Sequence, residues 1–344
     1  MAKVSIVVPV YNAERTIEKC LESLIKQSFP DYEIIIVDNG SNDGSFALIE
    51  EFIKAHPKKK IRLIKEEKKG PSNARNRGIK DSSGDIVAFT DSDCVTDRKW
   101  LEDIIKAFDN EEIGAVAGNI RGYKPSNLIE KFLSIFTLRG LKETQVVKAF
   151  SLIKGGFPTA NLVVRRDVLV EIGGFNEEME IYGEDYDLCA RIYMEGYRIK
   201  YIDSAVIYHI HRNSLSGLIK QSFGFGNGHS SLLRKHFCKK VIIELPRMTI
   251  ERNDIPLRLW LNLSSADKKV AFLSLIGFFY YPLFGLLLFY LFYLYLDITR
   301  RVKREKINAS FKERVGMVGL LILKSLTMTL GRIYGSIRYR VVCI

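Results

Sequence analysis

Cysteine is scarce: Cys20, Cys94, Cys189, Cys238 and Cys343 are the only five in 344 residues, an odd number with no close pair. That pattern excludes a disulfide framework and a zinc site, and it fits reduced thiols in a cytosolic compartment. Internal repeats and low-complexity tracts are absent. A Walker-type phosphate loop is missing, as is a Gly-x-Gly-x-x-Gly after the first apolar run, so a helix-cradled pyrophosphate is not expected. No basic motif interleaved with aromatics is present, which argues against a nucleic-acid partner. The N-terminus "MAKVSIVVPVYNAE" has neither a long apolar h-region nor a small-residue cleavage site, and it reads as a first strand, not a secretory signal.

The formal net charge is +12, and lysine and arginine bunch at Arg300–Lys306, Leu233–Lys240 and Ser336–Arg340. All three clusters stand beside the most apolar segments, so the charge points to anionic lipid headgroups. From residue 3 to about residue 120, apolar strands alternate with amphipathic helices. "VSIVVPV", "YEIIIVD", "IRLIKE" and "DIVAFTDSD" are the strands. "TIEKCLESLIKQS", "FALIEEFIKAH" and "PSNARNRGIKDS" are the helices. Near-continuous Val/Ile strands in that alternation predict an α/β fold, with a mostly parallel sheet covered by helices on both faces. Residues 126–150 read as helical and connective. "TANLVVRRDVLVEIGGFNE" reads as strand, short helix and Gly turn, "GEDYDLCARIYMEGY" as a helix opened by acids, and "IKYIDSAVIYHIHRNS" as short strands.

Beyond about residue 240 the character changes. Val270–Leu296 carries no charge over 27 residues and predicts a membrane span; Arg300–Lys306 would then be cytosolic only if the stretch folds back near Pro282 or lies in the interface. Val315–Ile337, interrupted by Lys324 and Arg332, reads as a second span or an interfacial helix.

Ligands of parallel sheets sit at the carboxyl ends of strands, and Asp38, Asp91 and Asp93 all fall there. Strands commonly stop at Asp, so Asp91-x-Asp93 alone is also an ordinary turn. Read as a site, three acids at one edge need neutralising, and a divalent cation bridging a diphosphate would do so; hard oxygen ligands suit Mg²⁺ or Mn²⁺.

From Val4 to Ser214 the ordered motifs "VSIVVPVYNAERTIEKCLESLIKQSFPDYEIIIVDNGSNDGS", "GPSNARNRGI", "GDIVAFTDSDC", "IGGFNE", "YGEDYDLCARI" and "VIYHIHRNS" resemble the inverting, nucleotide-sugar-dependent glycosyltransferases of family 2. The resemblance implies a GT-A fold over residues 1–235. A basic juxtamembrane segment (236–269) and membrane-associated helices (270–344) would follow. It implies that Pro9, Tyr11 and Asn12 line the nucleotide-base pocket and that Asp38 bonds base or ribose. Asn39 stands where the family more often has Asp. An amide donates as well as accepts, which leaves the donor open between UDP and GDP types. Arg75 would hold the nucleotide or its phosphates, the alternatives being a solvated helix charge or service by Arg77. Asp91 would face ribose or metal, with Asp93 and His209 as metal ligands; His211 is a weaker candidate.

Acids at a helix start are also ordinary capping residues. The resemblance nonetheless makes Asp185 the catalytic base, with Glu184 orienting the acceptor. Gly155 and Gly156 read either as a backbone approach to sugar or acceptor or as a turn. "QSFGFGNGHSSLLRKH" keeps Gln221 but lacks the Trp of the Gln-x-x-Arg-Trp signature, which argues against a processive polymerase. The expected activity is metal-dependent transfer, with inversion, of a sugar from a nucleotide diphosphate to a lipid-linked or polyprenyl-phosphate acceptor. It would occur at the cell membrane, with the catalytic domain on the cytoplasmic side. The alternative is an inactive nucleotide-sugar-binding scaffold, but a degenerate relative would be expected to lose Asp93 or Asp185.

Overall fold

The computed structural model describes residues 3–137, 140–141, 143–150, 155–179, 182–237, 240–246, 248–253 and 255–344. Cys238, part of the Leu233–Lys240 cluster, and a few residues of the 126–150 segment lie outside the described residues. By contacts the chain forms two units, Met1–Lys124 with Leu138–His211, and Pro125–Thr137 with Arg212–Ile344.

In the first unit, β1 (Val4–Val10), α1 (Ile17–Leu24), β2 (Tyr32–Asp38), α2 (Ser45–Ala55), β3 (Ile61–Lys65), α3 (Pro71–Asp81) and β4 (Ile86–Phe89) alternate as expected. There follow β5 (Cys94–Thr96), α4 (Trp100–Lys106) and β6 (Ile113–Gly122); then comes α5 (Leu128–Phe136), which belongs to the second unit. β7 (Gln145–Val147), β8 (Leu162–Arg165), α6 (Arg166–Glu171), α7 (Glu184–Met194) and β9 (Arg198–His209) complete the first unit.

One sheet runs β3-β2-β1-β4-β8-β6-β9-β5, with β7 added on β9. β3, β2, β1 and β4 are mutually parallel, and β6 is parallel to β9; β8, β5 and β7 pair antiparallel. Successive residues of β1 feed opposite cores. Ile6 and Val8 join Ile17, Leu21 and Ile36, whereas Val7 joins Ile35, Val87 and Phe89. The sheet is therefore buried on both sides, which is why its strands read as unbroken Val/Ile runs.

Three expectations change. Residues 198–209 make one strand with a register irregularity against Gly118/Asn119, not several short ones. The 126–150 segment includes a strand as well as a helix. The uncharged stretch 270–296 is not one rod, because the chain breaks at a 3-10 turn, Tyr281–Leu283, that contains Pro282. Proline removes a helical N–H and clashes with the preceding turn.

The second unit continues from α5 with α8 (Leu215–His236), β10 (Lys240–Glu244), β11 (Thr249–Asn253) and β12 (Arg258–Asn262). It ends with α9 (Ala266–Phe279), α10 (Phe284–Arg304), α11 (Phe311–Tyr339) and β13 (Val342–Cys343). β11, β10, β12 and β13 form a four-stranded sheet where a basic juxtamembrane segment was expected. Phe132, Leu133, Leu218, Ile298, Val302 and Met317 share a core, so α5, α8, α10 and α11 pack as one body. Two helical stretches, Tyr281–Arg304 and Phe311–Tyr339, are long and apolar enough to cross a membrane by length and composition.

Candidate active site

β1, β2 and β4 end at one edge of the first sheet, and the candidate residues follow from where each strand stops. β1 delivers Pro9, exposed Tyr11, and Asn12 in a left-handed conformation (φ 51°). Asn12 ties this turn to the one after β2: its N–H donates to Ser41 Oγ (3.0 Å), and its Oδ1 accepts from Asn42 N (2.9 Å). Asp38 is buried, and its Oδ1 has no hydrogen-bond partner. A buried carboxylate oxygen left unpaired is expensive, so the position is suited to a ligand's donor.

Asn39 lies differently from expectation. Its Nδ2 donates to Glu66 O and Lys68 O (both 2.9 Å), and its Oδ1 accepts from Gly70 N (2.7 Å). The whole amide is spent on the loop between β3 and α3, and an Asp could not donate to those carbonyls. Here Asn39 positions a loop and leaves no group to read a base.

β4 stops at Phe89. The chain turns through Asp91-Ser92-Asp93, closed by Cys94 N donating to Asp91 O (3.0 Å), and starts β5 at Cys94. β5 pairs antiparallel with β9 in the register Cys94↔His209, and Ile210 N donates to Asp93 O (2.8 Å). That register sets Asp93 Oδ1 at 3.3 Å from His209 Nε2. Asp93, Cys94 and His209 offer ligand atoms all within 4.8 Å of one another. Burial, then the Asp93 and Asp91 carboxylates, push the Cys94 thiol well up, so it stays protonated at neutral pH. His209 Nδ1 is buried without a partner, and the His209 and His211 rings lie 4.8 Å apart. A carboxylate beside an imidazole suits Mn²⁺ or Mg²⁺, hard cations that favour oxygen and nitrogen over a thiol.

Arg75 is no solvated helix charge. Buried on α3, it donates from Nη2 to Asp91 Oδ1 (2.9 Å) and from Nη1 to Glu184 Oε1 (3.0 Å). Burial alone would lower its pKa, but Asp91 and Glu184 outweigh that and raise it. Arg77, the alternative, pairs with Asp81 along its own helix. Arg75 thus joins the Asp-x-Asp turn to the acids that open α7.

The turn into α7 is strained. Gly183 (φ 108°) and Tyr182 (φ 106°) both lie at positive φ, where a non-glycine residue costs about 1–3 kcal/mol. Glu184 Oε2 accepts from Tyr182 N (3.1 Å), so both of its oxygens serve the frame. Asp187 is also structural, holding Arg191, which in turn donates to Ile172 O and Gly174 O. Asp185 is the acid left over. It is half-buried and accepts from Tyr186 N (2.8 Å). Desolvation, then the adjacent Glu184 carboxylate, push its pKa up to about 8 despite the counter-pull of Arg75.

Gly156 explains itself by packing. A Cβ there would meet the Tyr186 ring at 2.2 Å, so the close approach is to this neighbour of Asp185. Gln221 is buried on α8 of the second unit. Residues unnoticed in the sequence also shape the edge. Asn73 Nδ2 donates to Lys69 O (2.9 Å), and Asn76 clamps Phe175 through N–H and C=O. Only the Cys94 adjacency to Asp93 was visible in one dimension.

The sequence profile of Glycosyl transferase family 2 matches residues 5–173. Glycosyltransferase AglE of Haloferax volcanii is 34% identical over 229 residues, covering 65% of this chain and 72% of AglE. Of longer relatives the chain spans less, 48% in the case of the pre-mycofactocin glycosyltransferase of Mycobacterium tuberculosis, which is 32% identical. The fold is similar to that of two solved structures, each at 18% identity. The mannosyltransferase PcManGT from Pyrobaculum calidifontis, in complex with GDP-Man and Mn²⁺, has a TM-score of 0.56, with 96% of this chain and 87% of that one covered. S. aureus TarS 1–349, in complex with UDP-GlcNAc, has a TM-score of 0.52, with 98% and 92% covered. With AglE alike over most of its length, the chain belongs to glycosyl transferase family 2 and is a glycosyltransferase.

Proposed function

We propose that this glycosyltransferase moves a sugar from a nucleotide diphosphate to a hydroxyl or phosphate of a lipid-linked acceptor, with inversion and with a divalent cation. Asp185 carries the reading: of the acids opening α7 it alone has no side-chain partner holding it, and its raised pKa suits proton transfer near neutral pH. In this scheme Asp185 takes the proton of the acceptor as the acceptor attacks the anomeric carbon in line. One base suffices for inversion, so no second nucleophilic carboxylate is needed. Arg75 and Glu184 hold the base's end of α7 against Asp91.

The donor side rests on Asp38, whose unpaired oxygen accepts from base or ribose, with Pro9, Tyr11 and Asn12 around the base. Asp91 turns its remaining oxygen toward ribose or cation. Asp93 and His209 would hold Mn²⁺ or Mg²⁺, which when bound neutralises diphosphate charge and stabilises the leaving group. Fold neighbours solved with GDP-Man and with UDP-GlcNAc support a nucleotide-sugar donor and leave the base open. The apolar helices and basic clusters of the second unit support a membrane acceptor, worked on from the cytoplasmic side.

The test is turnover in native membranes with a panel of nucleotide sugars and lipid acceptors, plus Mn²⁺ or EDTA. Nucleotide release with one donor, abolished by EDTA and by Asp185→Asn, is expected. Release that persists in Asp185→Asn would remove the base assignment.

A further inference from the structure

The uncharged stretch 270–296 folds back on itself. α9 ends at Phe279, and α10 begins at Phe284 beyond the turn at Pro282. The two helices run antiparallel. Gly277 lies so close to Phe284 that a Cβ would meet its ring at 2.8 Å, and Lys269 Nζ stands 5.8 Å from the Tyr290 ring.

The apolar stretch of neither arm is by itself long enough to cross a bilayer, although the whole of α10 is by length. The 14 residues of α9 make a rod of about 21 Å, and the apolar part of α10 before Asp297 makes about 20 Å, against a hydrocarbon core of about 30 Å. The rest of α10 is committed elsewhere, because Ile298 and Val302 are buried in the core with Phe132, Leu218 and Met317. α11 is likewise bound into its own unit. Its Ser325 and Thr329 hold Asp267 (2.6 and 2.8 Å), and its Arg332 stacks on Trp260 at 4.7 Å.

The tip is bare and aromatic: Phe278 is 83%, Phe279 78% and Tyr281 83% exposed. Both feet are basic, with Lys268 and Lys269 opening α9 and Arg300, Arg301 and Lys303 closing α10. A hairpin with an apolar tip and cationic feet matches a single leaflet with anionic headgroups.

We infer that α9–α10 is a re-entrant hairpin that enters one leaflet of an anionic bilayer and returns to the side it came from, so that α10 does not span the membrane. The inference rests on the membrane attachment proposed above, and it fixes its form. It also places the basic run Arg300–Lys306 on the same side as the chain before α9, which a spanning α10 would forbid.

The test uses the full chain in sealed right-side-out and inverted vesicles, labelled with a membrane-impermeant maleimide above the wild-type background. Leu263→Cys and Asn308→Cys flank the hairpin, and Tyr281→Cys marks its tip. Labelling of both flanks from one face, and of the tip only after detergent, is expected. Flanks labelled from opposite faces would overturn the hairpin and leave attachment standing. A tip labelled without detergent would also overturn it. Wild type recovered wholly in the soluble fraction would overturn attachment as well. Flotation of the purified chain on phosphatidylcholine vesicles should improve at least tenfold when phosphatidylglycerol is included; no gain would remove the anionic-headgroup part.

Discussion

The open edge of the first unit's sheet and the second unit treat buried carboxylates differently. In the second, Asp267 accepts from Ser325 and Thr329, and Glu244 accepts from Trp260 Nε1 (2.6 Å) and Asn262 Nδ2 (3.0 Å). These carboxylates are satisfied by their neighbours and cement helix to helix and strand to strand. At the edge of the first sheet, Asp38 Oδ1, Ser72 Oγ, Asn73 Oδ1, Thr90 Oγ1 and His209 Nδ1 are buried with no partner. All five lie at the ends of β2, β4 and β9 or the start of α3. Buried polar atoms ordinarily find partners, so this cluster is where the proposed donor would supply them. Under that proposal the contrast separates acids that build from acids that react.

Asp185→Asn attacks the contrast at its strongest point. Transfer should fall by about 10²–10⁴-fold in kcat, the usual worth of a positioned base, with donor affinity kept; single-turnover assays beside nucleotide titration would check this. A drop of less than fivefold would put Asp185 among the building acids. Arg75→Gln strands two carboxylates in a buried site and should cost about 3–5 kcal/mol of stability, read as a lower denaturation midpoint, with activity lost too.

Asp38→Ala should raise the donor KM by about tenfold to a hundredfold, the value of a hydrogen bond to a charged group, while thermal unfolding barely moves. Asp267→Ala should do the reverse, costing about 1–3 kcal/mol of stability with kcat unchanged. If those two outcomes swapped, the division between the units would be wrong.

The same contrast can be probed with pH. Asp185 titrates near 8 in the fold against an ordinary 3.8, so the native protein keeps a proton there that the unfolded chain releases. Stability from this group therefore falls as pH rises from about 4 to about 8. Because the base form fills as pH rises through about 8, kcat/KM should climb about tenfold per unit below that value and level off above it. A flat profile from pH 6 to 9 would contradict the assignment.

Much of the first unit was legible because its strands are buried on both faces and its helices present one apolar stripe. Ile17, Cys20, Leu21 and Leu24 share the buried face of α1. The acids at strand ends were equally plain. What stayed hidden depends on pairing between distant segments. The Cys94↔His209 register, the Arg75 bridge and the use of Asn39 on its loop leave no trace in local pattern. The strands β10, β11 and β12 were missed because they are short and mostly half-exposed, and charged residues such as Lys240, Glu251 and Arg258 mask their alternation. The break at Pro282 was legible only as an alternative, because hydropathy is continuous across it and the proline alone marks it.

The Cys94↔His209 pairing has a consequence for measurement. Three-residue β5 carries Asp93 to the end of β9, and the hydrogen bond from Ile210 N to Asp93 O lies one step beyond that ladder. The Ile210 amide is thus a built-in clock: its deuterium-exchange lifetime counts how often Asp93 and His209 part, whether or not any sugar is transferred.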